Sequence, residues 1–239
     1  GTLCLIGDYD KETDTFTEKH NQAIDYGIDF YAPQTTLAPD GRRIMIGWLQ
    51  NWDTCNFRSR NMAWFGQMSL PRELFIKNGR LYQRPVKELE NMRKNKVEYC
   101  NVDISGNVRL DGIRGRRIDM ELVLRPADQQ NIYQKFAVRF AQNDQYQSSF
   151  SFRPRESVLK IDRKFSGSRR AIIHQRRSLV NSKDGELKMR IILDRFSVEA
   201  FINDGEQVMS AVIHTDQEAD GISFFADGAA KMDIVKYDL

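Results

Sequence analysis

Ile118-Asp119-Met120-Glu121-Leu122-Val123-Leu124 alternates with a period of two residues. That is the pattern of a strand with one face in a core and one in water. The same period runs through Phe136-Ala137-Val138-Arg139-Phe140, Leu187-Lys188-Met189-Arg190-Ile191 and Val198-Glu199-Ala200-Phe201-Ile202. It returns in Ile222-Ser223-Phe224-Phe225-Ala226 and Met232-Asp233-Ile234-Val235. Asn203-Asp204-Gly205 turns the chain back toward Val208. Seven to eleven short strands with turn signals between them predict an antiparallel two-sheet β-sandwich from Val97 onward.

Upstream of this region the strands are arranged as hairpins. Leu3-Cys4-Leu5-Ile6-Gly7 opens the chain as an apolar run. Phe30 to Leu37 and Arg43 to Leu49 flank Ala38-Pro39-Asp40-Gly41, a turn built on Pro and Gly. A second hairpin runs from Gln67 to Ile76, turns at Asn78-Gly79 and returns through Leu81 and Gln83. Asn-Gly supplies the positive φ angles of a type I′ turn. Pro85 to Arg93 is the best helix candidate, because Pro85 suits a first turn and Val86, Leu89 and Met92 recur at three-residue spacing. At two to three turns it reads as a connector between two domains.

Composition sets the outer limits. The chain has 239 residues, 41% of them apolar and 10% aromatic, enough to bury a sizeable core and to exclude disorder or a collagen-like repeat. The longest apolar runs are a few residues, so no membrane-spanning segment is expected. Residues 1–10 carry two aspartates and no basic n-region, unlike a signal peptide. A net charge of +3 argues against a dedicated nucleic-acid binder. Cys4, Cys55 and Cys100 are far apart and odd in number, which predicts three buried or half-buried free thiols and a cytoplasmic location.

No self-contained catalytic set stands out. His20, His174 and His214 are isolated, and no nucleophile elbow, P-loop or HExxH motif occurs. Glycosidase chemistry needs only two facing carboxylates. Asp25 and Asp29 flank an aromatic segment and share strand parity, so both fall on one face. The competing reading is that one caps a turn and the other accepts a backbone amide. Phe30, Tyr31, Trp48, Trp52, Phe57, Trp64 and Phe65 cluster within about 40 residues, as in a site that stacks sugar rings. Phe30 and Phe65 read better as core; Tyr31 and Trp48 suit a wet pocket. Between Arg153 and Arg177, nine basic residues stand against Glu156 and Asp162. This stretch reads either as a solvated sandwich face or as a site for a phosphorylated sugar or anionic polymer.

Four segments carry a resemblance. Asp29-Phe30-Tyr31-Ala32-Pro33-Gln34, Arg42 to Trp48, Trp64 to Leu74, and Ile192 to Glu206 resemble glycoside hydrolase family 32 in order and spacing. The resemblance implies an all-β chain: the terminal blade or blades of a five-bladed β-propeller, then the sandwich. Residues 1–85 would be the propeller end, 86–94 a short helical linker, and 95–239 the sandwich. It also implies a retaining enzyme acting on β-fructofuranosyl bonds of sucrose, sucrose 6-phosphate or fructans, without metal or organic cofactor. Tyr31 and Trp48 would line the pocket, with Asp29 as a further candidate for a pocket hydrogen bond. Arg72 and Glu73 would tie the last blade together.

The family's catalytic motifs, Trp-Met-Asn-Asp-Pro-Asn-Gly, Arg-Asp-Pro and Glu-Cys, do not occur in this sequence. They would lie upstream of Gly1, so no catalytic residue is expected in the chain and no fructosidase activity from it alone. An incomplete propeller exposes strand edges, which predicts self-association. A carbohydrate-binding or oligomerisation sandwich module is the alternative reading.

Overall fold

The computed structural model describes residues 1–55, 63–167 and 173–239. Sixteen strands and three short 3₁₀ helices make up the described chain, and no described helix is long and apolar enough to cross a membrane.

The N-terminal part holds two small sheets. β1 (Leu3–Asp10) and β2 (Thr15–Ala23) form one antiparallel hairpin. β3 (Tyr31–Leu37), β4 (Arg43–Trp48), β5 (Arg72–Lys77) and β6 (Arg80–Pro85) form a four-stranded meander in sequence order. The β5–β6 turn places Asn78 at φ 51° and Gly79 at φ 71°, the left-handed pair that Asn-Gly predicts. The β1–β2 hairpin has no counterpart in the sequence reading. Its second strand, Thr-Phe-Thr-Glu-Lys-His-Asn-Gln-Ala, is exposed along most of its length, so no apolar alternation marks it. Near its end, buried Gln22 stands in for a ladder partner: its amide donates to the Leu81 carbonyl at 2.9 Å and accepts from the Leu81 amide at 3.0 Å.

The expected connector helix is a 3₁₀ helix, Lys87–Met92, and Pro85 belongs to β6. The three-residue spacing of Val86, Leu89 and Met92 is the 3₁₀ period of 3.0 residues per turn, not the α period. Charges hold it on both sides. Arg42 grips Glu88 with two bonds of 2.6 and 3.0 Å, and Arg190 reaches Glu90 at 3.3 Å.

The C-terminal part contains β7 (Lys94–Val108), β8 (Arg117–Pro126), β9 (Lys135–Gln142), β10 (Gln147–Arg153) and β11 (Val158–Phe165). There follow β12 (Gln175–Leu179), β13 (Leu187–Asp194), β14 (Ser197–Ile202), β15 (Gln207–Val212) and β16 (Gly221–Asp238). Two separate sheets were expected. The hydrogen bonding instead makes one ten-stranded sheet, ordered β12-β11-β10-β9-β16-β8-β13-β14-β15, with β7 on β16.

The long strand β16 explains the difference. Its first half pairs with β9 and its second half, from Ala230, with β8. Its pairing with β7 shifts register between Ala226 and Ala230. The two layers therefore diverge from one shared β7–β16 ribbon, a bend of the kind that turns a sheet's corner. Both layers feed one core, which includes Phe136, Phe140, Phe150, Phe152 and Phe224 with Leu122, Met189 and Ile191. Phe140 and Phe150 lie 5.6 Å apart, and Phe136 stacks on Phe224 at 6.4 Å. Full burial stabilises each such ring by about 1.5–3 kcal/mol.

The free edge of β15 is covered rather than left open. The segment after β2 runs beside it, with Tyr26 N donating to Val208 O at 2.8 Å and Ile28 N to Ser210 O at 2.7 Å. A backbone ladder thus joins the N-terminal part to the last strand of the C-terminal sheet and removes an edge that would otherwise pair elsewhere.

Candidate functional site

Three aromatic rings meet at the end of β3 and β4. Tyr31 sits opposite Trp48 in the β3–β4 register, which then slips at Ala32-Pro33 before Gln34 pairs with Ile46. This irregularity places a φ of 44° at Ala32 and sets the two rings side by side. Trp52, from the loop that follows β4, completes the group. The centroids are 6.3 Å (Tyr31–Trp48), 5.7 Å (Tyr31–Trp52) and 5.8 Å (Trp48–Trp52) apart, all edge-to-face. Trp48 is half-buried, whereas Tyr31 is 39% and Trp52 70% exposed. Edge-to-face packing leaves ring faces open, so the group can stack a sugar ring while phenol and indole groups meet hydroxyls.

The loop carrying Trp52 is folded by Asn51. Its side-chain oxygen accepts from the amides of Asp53 (2.9 Å) and Thr54 (3.2 Å), while its amide donates to Asp29. Asp29 has no solvent exposure. Its second oxygen accepts from the Val212 amide at 2.7 Å, and both oxygens face the Arg163 guanidinium of β11. Arg163 is 1% exposed and also donates to the Val212 carbonyl at 2.9 Å. A continuous chain of contacts therefore runs from Arg163 through Asp29 and Asn51 to the Trp52 loop. Burial pushes the Asp29 carboxyl up, against the opposing pull of Arg163, the Val212 amide and Asn51.

A second buried ion cluster lies beside the first. Arg72 on β5 donates through Nε (2.9 Å) and Nη2 (2.6 Å) to one oxygen of Glu199 on β14. Its Nη2 also reaches Ser210 Oγ at 2.7 Å and Asp25 at 3.0 Å, and its Nη1 reaches Gln83 at 3.2 Å. The guanidinium lies over the Phe30 ring at 4.4 Å. Burial raises the Glu199 carboxyl, with Arg72 opposing the shift. Arg72 thus reaches beyond its own sheet to join the two halves of the chain. Glu73, in contrast, stays within the meander, bonded to Arg84 at 2.6 Å and 3.8 Å from Arg42.

Asp25 and Asp29 are therefore occupied. Asp25 accepts from Gly27 N at 2.8 Å, closing a turn, and from Ser210 N at 3.0 Å and Ser210 Oγ at 2.6 Å. The two carboxylates face the C-terminal sheet and are too deeply buried to flank a sugar; they cap a turn and accept backbone amides. Of the other aromatics, Phe30 is core, while Phe65 is 58% exposed, contrary to expectation. Phe57 lies outside the described residues, as do Arg169 and Arg170, two of the nine basic residues between Arg153 and Arg177. The thiols also differ from expectation in one place: Cys4 and Cys55 are half-buried, but Cys100 is exposed on β7, at a shift in the β7–β16 register. Among the described residues no group of three or more His, Cys, Asp or Glu side chains could hold a metal ion.

The sequence places Trp52 in the aromatic cluster without singling it out beside Tyr31 and Trp48, and it does not show Arg163 as the partner of Asp29. Trp52 follows Trp48 by four residues, a usable signal. Arg163 lies 134 residues from Asp29, and nothing local marks it.

Comparison with known proteins places this geometry in a family. Residues 1–85 match the glycosyl hydrolases family 32 N-terminal domain, and residues 88–238 match the glycosyl hydrolases family 32 C terminal. A sucrose-6-phosphate hydrolase of Staphylococcus xylosus is 32% identical over 236 residues, covering 98% of this chain and 47% of that protein. A raffinose invertase of Escherichia coli is 34% identical over 211 residues, covering 86% of this chain and 41% of that one. The structure of sucrose-6-phosphate hydrolase from Lactobacillus gasseri superposes with a TM-score of 0.81 at 25% identity, covering 98% of this chain and 46% of that one. Fructan 1-exohydrolase IIa from Cichorium intybus shares the fold with a TM-score of 0.82 at 19% identity, covering 98% and 54%. The chain spans about half the length of the curated relatives it matches. With both family regions present in order and nearly the whole chain aligned, this protein belongs to glycosyl hydrolase family 32.

Proposed function

We propose that this chain is the C-terminal portion of a retaining β-fructofuranosidase acting on sucrose, sucrose 6-phosphate or a fructan. The observation that carries the reading is the aromatic group of Tyr31, Trp48 and Trp52, half-open to solvent and held from behind by Asp29 and Asn51. In this reading Tyr31 and Trp48 line the fructosyl pocket, and Asp29 serves it by holding Asn51. The β3–β6 meander is the terminal blade of a five-bladed propeller, β1–β2 belongs to the blade before it, and residues 86–94 link the propeller to a sandwich at 95–239. The names of the relatives, hydrolases of sucrose 6-phosphate and raffinose, support the substrate class.

By itself the chain is expected to be inactive, since none of the family's three carboxylate motifs occurs in it. General acid–base catalysis alone contributes roughly 10²–10⁴-fold, and the covalent route is lost with it. We assign the isolated chain to self-association, because Leu3, Leu5, Tyr9 and Phe16 are exposed on the β1–β2 hairpin and β3 is an open edge. Three free thiols fit a reducing, cytoplasmic setting.

The deciding experiment follows tryptophan fluorescence of the chain during titration with fructose and sucrose, beside a sucrose-hydrolysis assay. A saturable change that Trp48→Phe abolishes supports the pocket. Sucrose turnover by the chain alone overturns its assigned inactivity, and no sugar response in either protein overturns the pocket.

A further inference from the structure

The outer face of the β9–β12 layer carries a feature that fructoside cleavage does not use. Ser151 on β10 pairs with Lys160 on β11, which in turn pairs with Arg177 on β12, so the three form one row across the sheet. Lys135 at the start of β9 and Arg153 at the end of β10 join them. Together with Glu156 and Val158 these residues line a pit of about 110 Å³. Four cations thus converge on one concavity.

Two carboxylates offset them only in part. Glu156 is held by Arg153 at 3.0 Å, and Asp162 by Lys160 at 3.0 Å. Lys135 and Arg177 make no ion pair with any described residue. Burial, with the like charges of Lys160, Arg153 and Arg139, pushes the Lys135 ammonium below the ordinary lysine range. Uncompensated cations facing one another are unfavourable, and an anion placed among them removes that repulsion. Two of the four are arginines, whose planar forks match tetrahedral oxyanions. The pit is small but has room for an oxyanion of five heavy atoms.

We propose that this pit binds a single oxyanion, phosphate or sulfate, either free or as the terminal ester of a sugar. Arg153 and Arg177 supply the forks, Lys135 and Lys160 the point charges, and the Ser151 hydroxyl a neutral donor at the floor. This site is independent of the aromatic group, so its fate does not depend on the fructosidase reading.

Calorimetric titration of the full chain with inorganic phosphate and with sulfate, at ionic strength held constant with sodium chloride, tests the proposal. The expected result is saturable binding that Arg153→Gln/Arg177→Gln weakens at least about tenfold, with an unchanged urea midpoint. Lys135→Gln is an independent second variant with the same expected loss. A hexose 6-phosphate that binds more tightly than inorganic phosphate assigns the site to an ester, and equal binding assigns it to the free ion. Phosphate and sulfate behaving like chloride would overturn the proposal, as would undiminished binding by the variants. Retention on heparin without saturable phosphate or sulfate binding would also overturn it, because a diffuse positive face explains that result alone.

Discussion

Arg72 and Glu199 lie 127 residues apart in the chain, yet both the Nε and Nη2 groups of Arg72 converge on one Glu199 oxygen, at 2.9 and 2.6 Å. Both side chains are almost completely sealed from water, at 0% and 2% exposure. Charges so placed are favourable only while every partner is present. Arg72→Met leaves Asp25 and Glu199 buried together without a cation. Urea unfolding is expected to show a loss of about 3–5 kcal/mol, and a loss below about 1 kcal/mol would contradict the assigned role.

Asp29 links the same boundary to the aromatic group. Asp29→Asn keeps the shape but removes the charge opposite Arg163 and weakens the acceptor for Asn51. Stability is expected to fall by about 3 kcal/mol, the range for one broken buried pair. The near-UV circular dichroism of the tryptophans should fall with it, because the Trp52 loop loses its anchor. An unchanged near-UV spectrum would separate the two.

Acid should weaken the fold through His214. Burial, reinforced by the Arg163 charge, lowers its pKa to about 4, from an ordinary value of 6.5. Between these values the unfolded chain binds a proton that the folded chain refuses. Stability therefore rises with pH in this window and is lost as pH falls from about 6.5 to 4, by on the order of 3 kcal/mol at most. The raised Asp29 and Glu199 carboxyls act in the opposite sense, so the His214 contribution is read as the difference between the urea midpoints of the chain and of His214→Gln, which should shrink from pH 7 through 6 to 5.

Gly205 is a contact point between the two halves. Its φ is +93°, and a Cβ there would lie 1.8 Å from the Gln83 carbonyl oxygen of β6. Gly205→Ala combines a left-handed backbone with a backbone clash. It is expected to destabilise by at least about 2 kcal/mol, measured by urea unfolding. A neutral result would mean that the two halves slide past each other freely.

In the core, Phe150 and Phe224 are 1% and 0% exposed. Truncation of either to Ala should cost about 3–5 kcal/mol by thermal or urea unfolding.

How much was legible follows from which interactions are local. Period-two alternation is a property of neighbouring residues, so Ile118–Leu124 and Val198–Ile202 announce themselves as strands, and Asn78-Gly79 announces its own turn. β2 was silent because both of its faces meet solvent, which removes the alternation. The 3₁₀ connector was half-legible: its three-residue spacing was visible, but the helix type was not.

The sequence by itself determined an all-β chain of N-terminal hairpins, short connector and C-terminal strands, together with its family, because strand period, turn chemistry and motif order are written along the chain. Only the tertiary structure decided that Asp29 serves Arg163 and that Arg72 spans the boundary to Glu199. It also joined the two expected sheets through one bent β7–β16 ribbon. The physical reason is the same in each case. Burial turns a pair of charges or a shared strand into a structural constraint, and burial depends on which distant segments meet rather than on the residues next in line.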